Sequence, residues 1–248
     1  MRDLYEFTAD PERCPYLPDR DATMTYRVVD ELHPDEYDRL LESGWRRFGS
    51  TLMAPVCEGC RECVPIRLRL ADFRPTRQQR RTLRANTDIE IRVEEPTLDP
   101  EHVRLYLHYH EERSRSRGWP APSFDAMDYV QSFLANATRT LELQFRLQAR
   151  LVGVAYVGES ARALNAIYAY FDPGLSRRSL GTLNVLRQIE IGTERSKTFV
   201  YLGYWVRECR SMTYKARFRP HELFDGRAWR RSDAESAADR DRLDSTSS

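Results

Sequence analysis

The chain has 248 residues, 41% hydrophobic and 31% charged, with a formal net charge of +1, an ordinary balance for a globular protein able to bury a core of one or two domains. No apolar run approaches the roughly 18 residues a membrane helix needs, and the first twenty residues lack an apolar secretory segment, so the expected location is cytoplasmic. Five cysteines, an odd number in a chain without an export signal, argue against a disulfide framework. Of 39 basic residues only Lys197 and Lys215 are lysine, so a single arginine says little and a lysine says more.

In chain order, "HPDEYDRLLESGWRRFG" predicts a helix. Pro34 sits in its first turn, and Tyr37, Leu40, Leu41, Trp45 and Phe48 recur at helical spacing. "VCEGCRECVPIRLRL" then brings Cys57, Cys60 and Cys63 at two-residue spacing. Ile66, Leu68 and Leu70 follow, alternating with Arg67 and Arg69 as in a half-buried strand. "RPTRQQRRTLRAN" reads as a short helix or an ordered basic loop, and "TDIEIRVEEP" as a second alternating strand. Residues 99–117 and "SFDAMDYVQSFLAN" read as helices, the second with Ser123 as its N-cap. From residue 140 the pattern predicts three strands joined by tight turns, a helix over "SLGTLNVLRQIEIGTERS", and another strand over "TFVYLGYW". The fold class expected is α+β. Three parts are expected: residues 1–95 as a cysteine-containing region, 96–230 as a second domain, and the small, charged residues 231–248 as a disordered tail.

Charge is concentrated locally. Residues 61–84 hold eight arginines against Glu62 and Asp72, and residues 207–219 hold five basic residues against Glu208. Two such patches on a near-neutral chain fit a local anionic site or two solvated arginine faces. Two stretches are candidates for chemistry. In "YAYFDPGLSRRSLGTLNVL", Ser179, Leu180 and Gly181 open a helix whose free N–H groups suit an anion or oxyanion, or serve as an ordinary cap. In "YLGYWVRECRSMTYKARFRP", five aromatics interleave with Arg207, Arg210, Lys215, Arg217 and Arg219. That mixture suits stacked bases and phosphates, or a core strand with a basic rim. Cys14, Cys57, Cys60 and Cys63 together make four soft ligands for zinc or an iron–sulfur cluster.

"YAYFDP", "RSLGTLNVLRQIE" and "VYLGYWVRECRSMTYKARFRP", preceded by "CPYLPDRDATMTYRVVD", "GWRRFG", "CEGCRECVPIRL" and "FRPTRQQRRTLRAN", occur in the order of the aminoacyl-tRNA–protein transferases. The resemblance spans about residues 10–225 and is nearest the short bacterial aspartate/glutamate leucyltransferases. It implies a GNAT-like acyltransferase core and transfer of leucine from leucyl-tRNA to proteins beginning with Asp or Glu, marking them for N-degron degradation. Partners would be charged tRNA and acidic N-termini, with no DNA and no membrane. The family often has a histidine after the arginine of the helix at 99–117. Here Ser114 follows Arg113, so no role carries over.

An aminoacyl ester is already activated, so the chemistry requires no cofactor, only positioning, removal of one proton and stabilisation of an oxyanion. On this reading Ser179, Leu180, Gly181, Arg217 and Arg219 bind the donor. Tyr204, Tyr214 and Lys215 contact the terminal adenosine or relay the proton. Arg77, Arg80 and Arg81 bind the acceptor carboxylate. Zinc or an iron–sulfur cluster on the four cysteines would be structural or redox-sensing. The alternatives are an arginyl transferase with the same acceptors, an acetyl-CoA enzyme, and a non-catalytic, metal-stabilised RNA-binding module.

Overall fold

The computed structural model describes residues 1–232. In chain order, β1 (Arg2–Thr8), β2 (Glu12–Arg13), β3 (Asp21–Ala22), β4 (Met24–Glu31), helix α1 (Pro34–Glu42), β5 (Arg46–Phe48) and β6 (Thr51–Pro55) come first. They build an antiparallel four-stranded sheet, ordered β1-β4-β6-β5, and a short β2–β3 ribbon. The remaining strands are β7 (Val64–Arg69), β8 (Ile89–Glu94), β9 (Thr140–Leu147), β10 (Arg150–Glu159), β11 (Ala163–Phe171), β12 (Phe199–Trp205), β13 (His221–Phe224) and β14 (Trp229–Ser232). They form one eight-stranded sheet ordered β14-β13-β7-β12-β11-β10-β9-β8.

That sheet is antiparallel except between β11 and β12, which helix α5 (Leu180–Glu194) connects, as a parallel pair requires a crossover. The parallel pairing lasts only from Ala163↔Phe199 to Asn165↔Tyr201. Beyond it the two strands no longer pair with each other, and β12 shifts register against β7 between Tyr201 and Tyr204. Gly203 supplies the irregularity with φ +77°, a conformation that costs a side chain strain. The result is a mouth in the middle of the sheet.

One face of the sheet is covered by α5 and by helix α2 (Arg77–Ala85). Leu180, Leu183, Leu186 and Ile189 of α5 pack on Leu68, Leu143, Val152 and Val200. Leu183 is fully buried, so Leu183→Ala is expected to cost about 2–5 kcal/mol. The other face carries helix α3 (Pro100–Arg117), whose Leu105 and Tyr106 meet Tyr129, Tyr156 and Tyr170. Asp99 caps α3 by accepting from the N–H groups of Glu101 (2.7 Å) and His102 (3.0 Å), and Gly118 ends it at φ +67°. The small sheet is fastened by β5, whose successive side chains point to opposite faces. Arg47 is fully buried over the Tyr37 ring and donates to Asn136 Oδ1 (2.8 Å), Thr140 Oγ1 (2.6 Å) and the Gly49 carbonyl. Its neighbour Arg46 faces the mouth.

Several expectations are corrected. Helix α1 stops at Glu42 because Gly44 takes φ +84°, leaving Trp45 off the helix and Phe48 on β5. "RPTRQQRRTLRAN" is helical, started by a Thr76–Gln79 capping box. Asp125, not Ser123, caps what proves to be one turn, α4 (Ala126–Tyr129), followed by a π turn over Val130–Leu134. Arg67, placed on a solvent face by alternation, is 7% exposed, because β13 and β14 extend the sheet over it. It lies over the Phe199 and Trp229 rings (3.9 and 4.2 Å), with Nε 2.6 Å from Glu222. A division at residue 95 falls just after β8, yet β7 and β8 share their sheet with β9–β14. Of the expected tail, Arg231 and Ser232 belong to β14, and 233–248 lie outside the described residues.

The root of α3 holds a titratable buried pair. His102 is fully buried, with Nε2 2.9 Å from Glu142 Oε1 and Nδ1 2.9 Å from Asp99 Oδ1. Burial disfavours the imidazolium, but the Glu142 and Asp99 carboxylates outweigh it and raise His102 above the ordinary histidine value. A raised folded value contributes stability that is complete below the unfolded value of about 6.5 and lost as pH climbs through the folded one. Urea unfolding of wild type and His102→Gln should therefore show a stability gap that is full below about pH 6.5 and narrows as pH rises above it. A gap that stays constant above that pH would refute the charged pair.

Candidate functional site

The mouth between β11 and β12 is bridged by one side chain. Arg46 reaches from β5 so that its Nη2 lies 3.4 Å from the Ile167 carbonyl of β11, while its guanidinium sits over the rings of Phe48 (5.8 Å) and Tyr204 of β12 (5.2 Å). A Cβ at Gly203 would lie 2.9 Å from the Arg46 guanidinium carbon, so glycine is demanded there twice. Among the described residues Arg46 makes no ion pair with a carboxylate. Cations stacked on aromatic rings keep their charge while losing water.

On the β12 side the expected pair Tyr204 and Lys215 comes together. Lys215 is carried by the single turn Thr213–Arg217 and buries its ammonium, donating from Nζ to the Tyr204 carbonyl at 2.7 Å. Burial, with the nearby Arg46 charge, pushes its pKa well below the ordinary lysine value. The Tyr204 hydroxyl donates to the Gly44 carbonyl at 3.1 Å, and burial raises its pKa. That hydroxyl is thus tied to main chain. Tyr214 is 36% exposed overall, but its hydroxyl is desolvated, which raises its pKa to about 12, and lies within electrostatic reach of Tyr109 and Arg46.

On the β11 side stand two residues that sequence reasoning missed. Tyr168 OH lies 2.9 Å from His110 Nε2 of α3. The His110 ring packs on Tyr106 at 4.1 Å and near Trp119 at 5.8 Å, and burial lowers its pKa below the ordinary value. Phe48 joins the two walls, 6.2 Å from Tyr168 and beneath Arg46. "GWRRFG" was the signal for Arg46, but in an arginine-rich chain it was legible only as a motif. His110 gave no local signal, since its partner lies 58 residues away.

Ser179, Leu180 and Gly181 do open α5. Ser179 takes φ +55° with no side-chain cap bond, Leu180 is buried, and the space above Gly181 is open. Arg178, just before them, is held by Asp88 through two bonds of 2.7 and 3.0 Å. Arg217 is exposed, and its carbonyl accepts from Gln79 Nε2 of α2 at 3.3 Å; Arg219 folds back on the Ala216 carbonyl at 3.0 Å. Arg77, Arg80 and Arg81 lie on the exposed side of α2, which packs on α5. They do not join Arg46 at the mouth.

Beside Arg46 and Tyr204 lies a cavity of ≈ 210 Å³ walled by Leu17, Met24, Met53 and Pro55 and lined by all four predicted cysteines. Cys14, Cys57, Cys60 and Cys63 are free thiols. Cys57 Sγ accepts from Thr23 N–H at 3.4 Å, and Cys60 Sγ accepts from the Arg20 guanidinium at 3.5 Å. Burial pushes the Cys63 thiol up to about 12, and the other three thiols add to it. The donor chemistry suits zinc or an iron–sulfur cluster, but among the described residues no three such side chains stand close enough to hold a metal ion. The four thiols converge without closing a site.

A family model described as the N terminus of arginine-tRNA-protein transferase matches residues 12–81, and one described as its C terminus matches residues 101–225. The chain belongs to the arginine-tRNA-protein transferase family. It is similar to proteins named aspartate/glutamate leucyltransferase from Marinobacter nauticus (41% identity over 232 residues, 93% of this chain and 97% of the relative) and Chromohalobacter salexigens (41% over 234 residues, 93% and 94%). In fold it resembles the crystal structure of FemX, with a TM-score of 0.52 at 9% identity over 89% of this chain and 73% of that one. The two family matches together contain both sides of the mouth: Arg46 lies in the first, and His110, Tyr168, Tyr204 and Lys215 in the second. Among the described residues no helix is long and apolar enough to cross a membrane.

The lysine environment is directly measurable, because the chain has only Lys197 and Lys215. Lys197 Nζ pairs with Glu159 at 3.1 Å. In protein carrying 13C-labelled lysine, with the Lys215 Cε resonance assigned by its loss in Lys215→Arg, that resonance should titrate well below the ordinary lysine value. Titration at the ordinary value would refute a desolvated amine at the mouth.

Proposed function

We propose that this chain transfers leucine from leucyl-tRNA to the α-amino group of proteins whose first residue is Asp or Glu, producing an N-terminal leucine that feeds N-degron degradation. Two relatives at 41% identity carry the name of that activity. The reading places the protein in the cytoplasm, where charged tRNA is available. It also takes the core as GNAT-like, with the donor's reacting end entering where the parallel strands part.

The carrying observation is Arg46, a half-buried guanidinium at the mouth with no carboxylate partner among the described residues. In an N-terminal Asp or Glu the carboxylate is only two or three carbons from the attacking nitrogen. Its reader must therefore stand beside the reacting carbonyl. Arg46 meets that condition. Arg77, Arg80 and Arg81, on the far side of α2, do not, so Arg46 replaces them in the acceptor-binding role proposed here.

The step balances without a cofactor. The α-amino nitrogen attacks the ester carbonyl carbon and forms the C–N bond. The tetrahedral oxyanion collapses, the C–O bond to the terminal ribose breaks, and the nitrogen's proton ends on that ribose oxygen. An α-amino group titrates at about 7.7–8.0, so a weak, desolvated base is enough. His110, held toward the neutral form by burial and bonded to Tyr168, suits that task. Lys215 and Tyr204, sealed against main-chain carbonyls, are assigned a positioning role, keeping β12 parted from β11. Tyr214, exposed at the rim, is kept as the platform for the terminal adenosine. The free N–H groups of α5 at Leu180 and Gly181 face the donor's phosphates or its oxyanion. The apolar part of the cavity beside Arg46, formed by Leu17, Met24, Met53 and Pro55, suits an uncharged side chain such as leucine, while Arg20, Asp21, Glu62 and the four thiols line the rest. Cys14, Cys57, Cys60 and Cys63 are the proposed ligands of any zinc or iron–sulfur cluster that the chain takes up, and no step of the transfer passes through it.

Labelled leucine should pass from leucyl-tRNA to a peptide beginning with Asp or Glu and not to one beginning with Asn. No transfer, or transfer of arginine in its place, overturns the reading. A charge-assisted hydrogen bond contributes about 1.5–3 kcal/mol, so Arg46→Gln should cut the Asp-over-Asn preference by at least about tenfold. A preference unchanged in that variant would remove Arg46 from acceptor recognition.

A further inference from the structure

Helix α2 presents two chemically different sides. Gln79, Leu83 and Asn86 face inward. Gln79 and Asn86 are buried, Leu83 packs on the main core, and Gln79 and Asn86 tie the helix to the Arg217 and Arg178 carbonyls at 3.3 and 3.0 Å. Outward stand Arg77, Arg80, Arg81 and Arg84, all exposed, at the i, i+3, i+4, i+7 spacing that makes a single stripe. Among the described residues none of the four pairs with a carboxylate, and the first turn of the helix holds no acid.

Such a stripe opposes helix formation. Like charges three and four residues apart repel, and Arg77 and Arg80 set positive charge against the positive end of the helix dipole. The capping box and the inward packing hold the helix in spite of it. Other surface arginines of this chain are paired, as in Arg178–Asp88, Arg162–Glu42 and Arg92–Glu90, while Arg207, Arg210 and Arg217, near the same side, are exposed and carry no carboxylate partner among the described residues. The α2 stripe is left uncompensated where the helix abuts both ends of the donor side: Asn86 meets the segment leading into Ser179 and Gly181, and Gln79 meets Arg217.

We infer that the outward stripe of α2 carries the phosphodiester backbone of the tRNA acceptor stem, so that the stem lies along this helix while its 3′ end enters the mouth. This rests on the leucyl-tRNA reading above. Contacts of this kind are made to phosphates, not to bases. They add affinity uniformly over tRNA sequences and are paid back as counterion release. Leucine specificity is then left to the cavity at the mouth.

The test replaces Arg77, Arg80, Arg81 and Arg84 together with glutamine, a helix former, and in a second variant with lysine. Affinity for leucyl-tRNA is measured against salt concentration, alongside binding of a 3′-terminal CCA–leucine analogue and the KM for an Asp-starting peptide. In the glutamine variant the slope of log affinity against log salt should fall by about three to four, since each phosphate contact contributes about 0.9. Binding of the CCA analogue and the peptide KM should stay as in wild type. The lysine variant, which keeps the charge, should retain most of the slope. Helix content by circular dichroism checks that α2 is intact. An unchanged slope in the glutamine variant overturns the inference. So does a raised peptide KM with tRNA affinity intact, which would return these arginines to the acceptor. Absence of leucyl transfer by the wild-type protein is a separate result, striking the functional reading and not the stripe.

Discussion

Arg46 lies where two parallel strands separate, and the rest of the site depends on how it is held. A guanidinium that reaches a β11 carbonyl from one side and rests on a β12 ring from the other keeps the two strands at a defined spacing. The separation begins where the last parallel pair, Asn165↔Tyr201, gives way to Gly203, whose positive φ accompanies a register shift of β12 against β7 while its pairing with β11 ends. Lys215 then binds the carbonyl freed at Tyr204. Each of these groups is costly alone: an unpaired cation, a desolvated amine, a broken ladder. Together they answer one another's unmet hydrogen bonds and leave only a charge facing the opening.

Arg67, Arg47 and Arg46 differ in how their partners satisfy them, and the difference sorts them by role. Arg67 is paired with Glu222 and sandwiched by aromatic rings. Arg47 donates to a carbonyl, an amide and a hydroxyl and locks the small sheet onto the large one. Arg47 engages both terminal nitrogens but leaves its buried Nε without a partner. Arg46, adjacent in sequence to Arg47, brings its charge to the mouth because strand alternation sends it to the opposite face. The stripe on α2 is the same situation outside the core: charge maintained against local cost, beside the donor end of the mouth.

Much of the architecture was legible from pattern. The strands between residues 140 and 171, α5 and β12 follow from apolar periodicity and turn residues, and the family follows from ordered motifs. What failed did so for tertiary reasons. Trp45 and Phe48 have helical spacing from Leu41, but Gly44 ends the helix before them. Arg67 alternates as an exposed residue, but β13 and β14, more than 150 residues later, bury it. Ser123 has the chemistry of a cap, but Asp125 reaches the free N–H groups. At the site, Tyr204 and Lys215 were found because they are eleven residues apart in one stretch. Arg46, His110 and Tyr168 were not, because no local rule links positions separated by 58 or 121 residues.

By itself the sequence determined membership of a transferase family, the strands, helix and strand that follow one another from residue 140 to 205, and the presence of thiols, basic stretches and just two lysines. These are properties of short windows, where periodicity and residue chemistry act directly. Tertiary structure alone decided which arginine faces the reacting centre, which stripe faces outward, and that the cysteines share a cavity without closing around it. Those outcomes depend on which strands become neighbours. A charge is defined by what surrounds it, and its surroundings here come from opposite ends of the chain.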